Sequence, residues 1–114
     1  MIKTITLLTR RPEISHEEFL RHWHEEHAAL AHAVPGLRRY VQNVIVQEPS
    51  RPDIPDHDIA VDGIAELWYD DIESWKAAHA SPQGKALTDD GATFIGRVKA
   101  YLVEEKVIVP AGGK

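Results

Sequence analysis

Residues 15–36, SHEEFLRHWHEEHAALAHAVPG, carry a helix with both of its ends written into it. Ser15 is a good N-cap type, and Glu18 three positions on completes a capping box. Ile14 and Phe19 are placed for a hydrophobic staple, and Glu17 and Glu18 suit the positive end of the helix dipole. Pro35-Gly36 stops the run, so the spacing predicts a helix over 16–34. At about 100° per residue, Phe19, Trp23, Leu30 and Val34 fall within about 60° of one another, which makes a core-facing stripe.

Outward from this helix the period changes. Residues 2–9, IKTITLLT, and 38–47, RRYVQNVIVQ, are rich in β-branched types and read as strands. Residues 48–58 hold three prolines and form a long loop. GIAELWY, 63–69, is a third strand, and VKAYLVEEKVIV, 98–109, a fourth. Between them Asp70 or Asp71 caps a second helix over about 71–89, which Ser81-Pro82 restarts or kinks, with Pro82 suited to a first helical position. The order strand, helix, strand, strand, helix, strand predicts an α+β, ferredoxin-like βαββαβ fold. Its four-stranded antiparallel sheet carries both helices on one face.

The remaining face of that sheet is not wet. Leu7 and Leu8, Val44 and Ile45, and Leu102 and Val107 fall on opposite parities, so both faces are apolar. An exposed apolar face needs a cover, and the simplest is a second copy stacked sheet on sheet. A homodimer is therefore expected.

The bulk numbers agree with one soluble-type domain spanning residues 1–114. Of these, 43% are hydrophobic and 27% charged, enough apolar matter for one core and no second. A net charge of −5 argues against a nucleic-acid partner, and Arg10-Arg11 and Arg38-Arg39 read as solvated strand ends. No apolar run approaches a membrane span. Met1-Ile2-Lys3-Thr4 lacks a signal-peptide pattern, so a cytoplasmic location is expected. The absence of cysteine excludes thiol catalysis and thiolate metal sites. There is no nucleotide-binding glycine motif and no GxSxG elbow, and no cofactor is expected.

The first helix carries five histidines: His16, His22, His24, His27 and His32. His27 lies about 20° beyond Val34, at the edge of the buried stripe. There it is either a neutral acid–base group or a core-edge histidine bonded to a neighbour. His24 and His27 have the wrong spacing for a helical metal pair, and no metal is expected. His16 and His32 read as solvated. Glu66 sits mid-strand between Ala65 and Leu67, and a carboxylate there must be paired, protonated or facing a cavity. Gln42 and Asn43 pose the same question, and Tyr40 begins their strand. Polar groups set in an apolar sheet suggest a pocket lined by a few oriented groups. Trp68, Tyr69 and Trp75 suit a core as well as a ligand platform.

RHWHEEHAALAHAVPGLRRYVQN (21–43), GIAELWYDDIESW (63–75) and SPQGKALTDDGATFIGRVKAYLVEE (81–105) together resemble the EthD family of the dimeric α/β-barrel superfamily. The pattern joins Trp23-x-x-x-His27, Pro35-Gly36-Leu37, Tyr40, Asn43 and Ala65-Glu66-Leu67-Trp68. The resemblance implies a homodimer and a small apolar, aromatic or polyketide-like ligand between sheet and helices. Relatives include methylmuconolactone methylisomerases, polyketide cyclases, dehydratases and cofactor-free monooxygenases, in degradation of aromatic compounds. The family's helix histidine falls on His27, its strand-start tyrosine on Tyr40, its strand carboxylate on Glu66 and its asparagine on Asn43. The lactone-isomerising relatives place a cysteine where this chain has Leu67.

The expectation is a cofactor-independent isomerase, cyclase or lyase acting on a lactone, phenolic or polyketide-like compound. His27 would move a proton beside a carbonyl, Tyr40 and Asn43 would hold the oxygen, and Glu66 would tune the histidine. Trp23, Trp68 and Phe94 would wall the pocket. The alternative is a non-catalytic dimeric protein that binds a small molecule.

Overall fold

A computed structural model describes residues 1–112. Strand β1 (Ile2–Arg10) leads into helix α1 (His16–His22), which passes through a π-helical turn (Trp23–His27) into α2 (Ala28–Ala31). Strands β2 (Arg39–Asn43) and β3 (Gly63–Tyr69) follow, then helices α3 (Ile72–Ala80) and α4 (Pro82–Gly91), then strand β4 (Ile95–Glu104). The sheet order is β2-β3-β1-β4, and every neighbouring pair is antiparallel. This is the ferredoxin-like arrangement. The Ser15 capping box forms in full: Ser15 Oγ accepts from Glu18 N–H at 3.1 Å, and Glu18 Oε1 accepts from Ser15 N–H at 2.9 Å.

The first helix departs from the regular wheel at its centre. The Ala28 N–H reaches back five residues to the Trp23 carbonyl, which also accepts from Gln42 Nε2 at 2.7 Å. One extra residue in the turn sets back all later side chains by about 100°. Ala31 accordingly takes the buried position, while Leu30, expected in the core stripe, is 36% exposed. Past Ala31 the chain tightens to three-residue bonds, from Ala33 to Leu30 and from Val34 to Ala31, so the α-helix ends three residues earlier than expected. Gly36, at φ 80°, makes the left-handed turn into β2.

Strand ends follow their partners. Strand β2 stops at Asn43, paired with Ile64, because β3 begins one residue before Ile64. Residues 44–47, read as strand, are therefore loop, and Val46 is 91% exposed. Strand β4 ends at Glu104, opposite Ile2, so Val107 to Val109 lie beyond the sheet. It begins at Ile95 rather than Val98, through a bulge at Thr9/Arg10. The second helix breaks at Ser81, which caps α4 by accepting from Gly84 N–H at 2.9 Å.

Two core clusters lie between the sheet and the helices. One holds Leu8, Phe19, Trp23, Ala65 and Phe94; the other holds Ile2, Val34, Tyr69 and Ala78, and Leu67 packs on both. Gly63 lies directly under Trp23: a Cβ there would stand 2.5 Å from the indole Cζ3. Beside it, buried Asp62 ties the 44–62 segment to the rest. It accepts from Arg10 N–H at 2.7 Å, Arg10 Nη1 at 3.0 Å and His16 Nδ1 at 2.8 Å. Arg10 and His16, read as solvated, are thus anchored to a buried carboxylate that a linear reading had no means to place beside them.

Candidate active site

Strand alternation sends Thr4, Thr6 and Leu8 of β1, Tyr40 of β2 and Ala65, Leu67 and Tyr69 of β3 toward the helices. Together with Trp23 and His27 of the π turn and residues of α3 and α4 they surround a largely apolar cavity of about 510 Å³. Cavities of this size take a small organic molecule.

Like Tyr69 at 2%, His27 is a buried titratable group on its wall, 9% exposed. Its Nδ1 lies 2.8 Å from Asp90 Oδ2 at the end of α4. The same carboxylate bonds His22 Nε2 at 3.0 Å, and His22 Nδ1 stands 3.1 Å from Glu26. Phe94 packs edge-on against the His27 ring at 5.2 Å. Burial pushes the His27 pKa below the ordinary histidine range; the Asp90 bond and charge oppose this, and His22 adds to it. A neutral imidazole that donates Nδ1–H to Asp90 leaves Nε2 as its basic atom.

Tyr40 faces the same cavity, and its phenol oxygen accepts from Gln42 Nε2 at 2.8 Å. That leaves the phenol hydrogen free to donate. Burial raises the Tyr40 pKa, opposed by the N–H groups of Gln42 and Trp23, so the phenol stays neutral. The Gln42 amide also accepts from His24 Nδ1 at 2.5 Å. One side chain thus fixes the tyrosine, the π turn and His24 together.

The other sequence-derived residues stand elsewhere. Glu66 and Trp68 alternate with Ala65 and Leu67, so they project from the helix-free face. Asn43 does the same on β2. Glu66 pairs with Lys3 at 3.1 Å and lies 3.4 Å from Asn43 Nδ2, which donates to the Ile64 carbonyl at 3.0 Å. Lys3 and Arg39 lie over the Trp68 ring, each at 4.8 Å. Glu66, Asn43 and Trp68 are therefore a sheet's thickness from His27 and border no part of its cavity. Phe94 is buried behind His27, supporting the ring without lining the cavity.

Asp90 was missed. Its signal was an acidic residue in the last turn of a helix, Thr88-Asp89-Asp90-Gly91, where the dipole disfavours negative charge and a partner is needed. His24 and His27 do not converge on a common point: one bonds Gln42, the other Asp90. No helix among the described residues is long and apolar enough to cross a membrane.

Fold and cavity place the chain among small ferredoxin-like α+β proteins. Within that class it belongs to the EthD family: the EthD domain matches residues 11–97. It is 30% identical over 108 residues to 4-carboxymethyl-4-methylbutenolide mutase of Pseudomonas reinekei, a match covering 94% of this chain and all of that protein. The crystal structure of an EthD family protein from Bacillus halodurans superposes with a TM-score of 0.74 at 31% identity, over 93% of this chain and 99% of the other. A dimeric ferredoxin-like protein from Thermobifida fusca shares the fold at 15% identity, with a TM-score of 0.68 over 90% and 88% of the two chains.

Proposed function

We propose that this protein is a cofactor-independent acid–base enzyme of the isomerase, cyclase or lyase type. Its substrate is a small lactone, phenolic or polyketide-like compound met in a cytoplasmic catabolic or tailoring pathway. The observation that carries this reading is the His27–Asp90 pair opening on a cavity that Tyr40 shares. His27 Nε2 takes a proton from the carbon next to a carbonyl and later returns it. The Tyr40 hydroxyl donates to the carbonyl oxygen as negative charge gathers there. Asp90 fixes the tautomer and steadies the imidazolium, the part first assigned to Glu66. The butenolide mutase among the relatives supports a lactone-like substrate.

The working form is a homodimer joined through the helix-free face. Ile5, Leu7, Ile64 and Trp68 are only half-buried there, and a neighbour of the same fold is dimeric. The Lys3–Glu66–Asn43 cluster then sits at the subunit contact.

The test follows exchange of the hydrogen beside the carbonyl in D2O by NMR, over a panel of substituted butenolides and phenolic lactones. Wild-type protein should catalyse exchange, and His27→Gln should slow it by about 10²–10⁴. A second reading, a non-catalytic binder, draws on Leu67, which makes the cavity wall inert at that point. Tight binding by wild type without exchange across the panel would select it.

A further inference from the structure

Tyr69 borders the cavity and is almost wholly buried, yet its hydroxyl has no hydrogen-bond partner among the described residues. Burial alone acts on its pKa and pushes it up to about 12, so the oxygen keeps its hydrogen. The indole N–H groups of Trp23 and Trp75 are sealed in the wall; the Tyr69 hydroxyl is not, and it opens on the cavity. Tyr40 differs, because Gln42 holds its oxygen. A phenylalanine would pack at position 69 as well. A hydroxyl held nearly dry without a partner is a cost that a bound acceptor removes.

Helix α4 shows where this hydroxyl stands relative to His27. Gly84 and Gly91 of α4 both border the cavity. A Cβ at Gly91 would lie 3.7 Å from His27 Cε1, so His27 sits at the last turn of α4. Gly84, in the first turn, packs on the Ala78 carbonyl so tightly that a Cβ there has no room. Ala78 shares a core cluster with Tyr69, and the ring of the next residue, His79, lies 6.4 Å from the Tyr69 ring. From Gly84 to Gly91 the helix rises about 10 Å. Tyr69 and His27 therefore border opposite ends of the α4 wall. His79 is exposed and borders the cavity, so the Tyr69 end is the one that meets solvent.

Resting on the reading of the cavity as a ligand site, we propose that Tyr69 is a ligand-binding residue. Its O–H donates to an oxygen at the end of the ligand remote from the carbon that His27 addresses. The ligand is then an apolar carbonyl compound that carries a second oxygen function, a hydroxyl or a carboxylate, at its far end. A charged oxygen is tolerated there because the His79 side of the cavity is wet and leaves it part of its hydration.

Coumarin and 7-hydroxycoumarin test this with the full-length protein. They share a flat lactone and differ by one oxygen at the end away from the carbonyl. Calorimetry at about pH 6, where a phenol is uncharged, gives both affinities. Wild type should bind 7-hydroxycoumarin about fivefold or more tightly than coumarin. Tyr69→Phe keeps the ring, so the preference should vanish while coumarin affinity stays within about twofold. The unliganded variant should melt no lower than wild type, because the hydroxyl it loses bonds nothing. A preference that survives in Tyr69→Phe would overturn the proposal, as would a variant that melts lower. Coumarin binding to wild type with no gain from the added hydroxyl sinks the proposal alone. If neither compound binds wild type, the proposal fails together with the ligand-site reading.

Discussion

Asp90 reaches His27 across 63 residues of sequence and holds its Nδ1 at 2.8 Å, from the C-terminal end of a helix where a carboxylate is otherwise unfavourable. The contact makes the two ring nitrogens unequal: one is committed to the protein, the other is left for chemistry.

Burial should make His27 titrate below the ordinary histidine range, against the opposing pull of Asp90. Its native pKa is lowered by burial, so the folded chain binds fewer protons than the unfolded chain between the lowered value and about 6.5. The stability linked to His27 is full above that window and is lost as pH falls through it. NMR of the imidazole carbons against pH gives the native value directly. A midpoint at or above the unperturbed value would contradict the burial argument.

Asp90→Asn keeps an acceptor near Nδ1 but removes the charge. Asp90 raises the His27 pKa, so the acid limb of the exchange rate should move to lower pH. The rate itself should fall about tenfold or more, because the imidazolium loses its counterion. An unchanged pH profile would leave Asp90 with a packing role only.

Gly63→Ala should be costly although Ala suits a strand better than Gly. The new Cβ would meet the Trp23 ring at 2.5 Å, and Trp23 is fully buried. Overpacking of this kind costs about 1–3 kcal/mol, readable in urea denaturation. Stability equal to wild type would mean that the indole moves freely.

Asp62→Asn should loosen the 44–62 segment and make stability less sensitive to acid. Burial pushes the Asp62 pKa up, but bonds from the Arg10 backbone, His16 and the Arg10 guanidinium outweigh it and hold it below its usual value. Stability from this group is thus present above about pH 3.8 and lost as pH falls through the lower native value. Denaturation midpoints compared at pH 3 and pH 7 should show a smaller acid loss in the variant.

Static light scattering at micromolar concentration should return about twice 12.8 kDa. Ile5→Glu, placed in the middle of the helix-free face, should shift the protein to monomer. A wild-type monomer would exclude the sheet-to-sheet pairing.

Much of this architecture was legible because its signals are local. Ser15, Glu18 and Pro35-Gly36 bracket a helix without reference to anything distant, and β-branched runs mark strands. The site was only half legible. Helical phase brought His27 to the cavity edge, but no local pattern says which face of the sheet Glu66 occupies, since both faces are apolar. Parity relates Glu66 to its neighbours in β3 and says nothing of where α1 crosses. Asp90 was hidden for a similar reason, being brought to His27 by the packing of α4 on the first helix.

The π turn at Trp23–His27 changes what kind of mutation the helix can bear. Glu25 and Glu26 are exposed and open to substitution, and the extra residue of the turn is itself dispensable to the phase of the helix. Deleting one would let the segment close as regular α-helix and leave everything before it in phase with everything after it. Ala31, then seven residues after Trp23, would still share its face, and Trp23 and His27 would stand three residues apart instead of four. Identity is constrained at Trp23 and His27 while length is tolerant by one residue, so a one-residue gap here would mark a relative that keeps both helix faces and sets a different spacing between its buried tryptophan and its histidine.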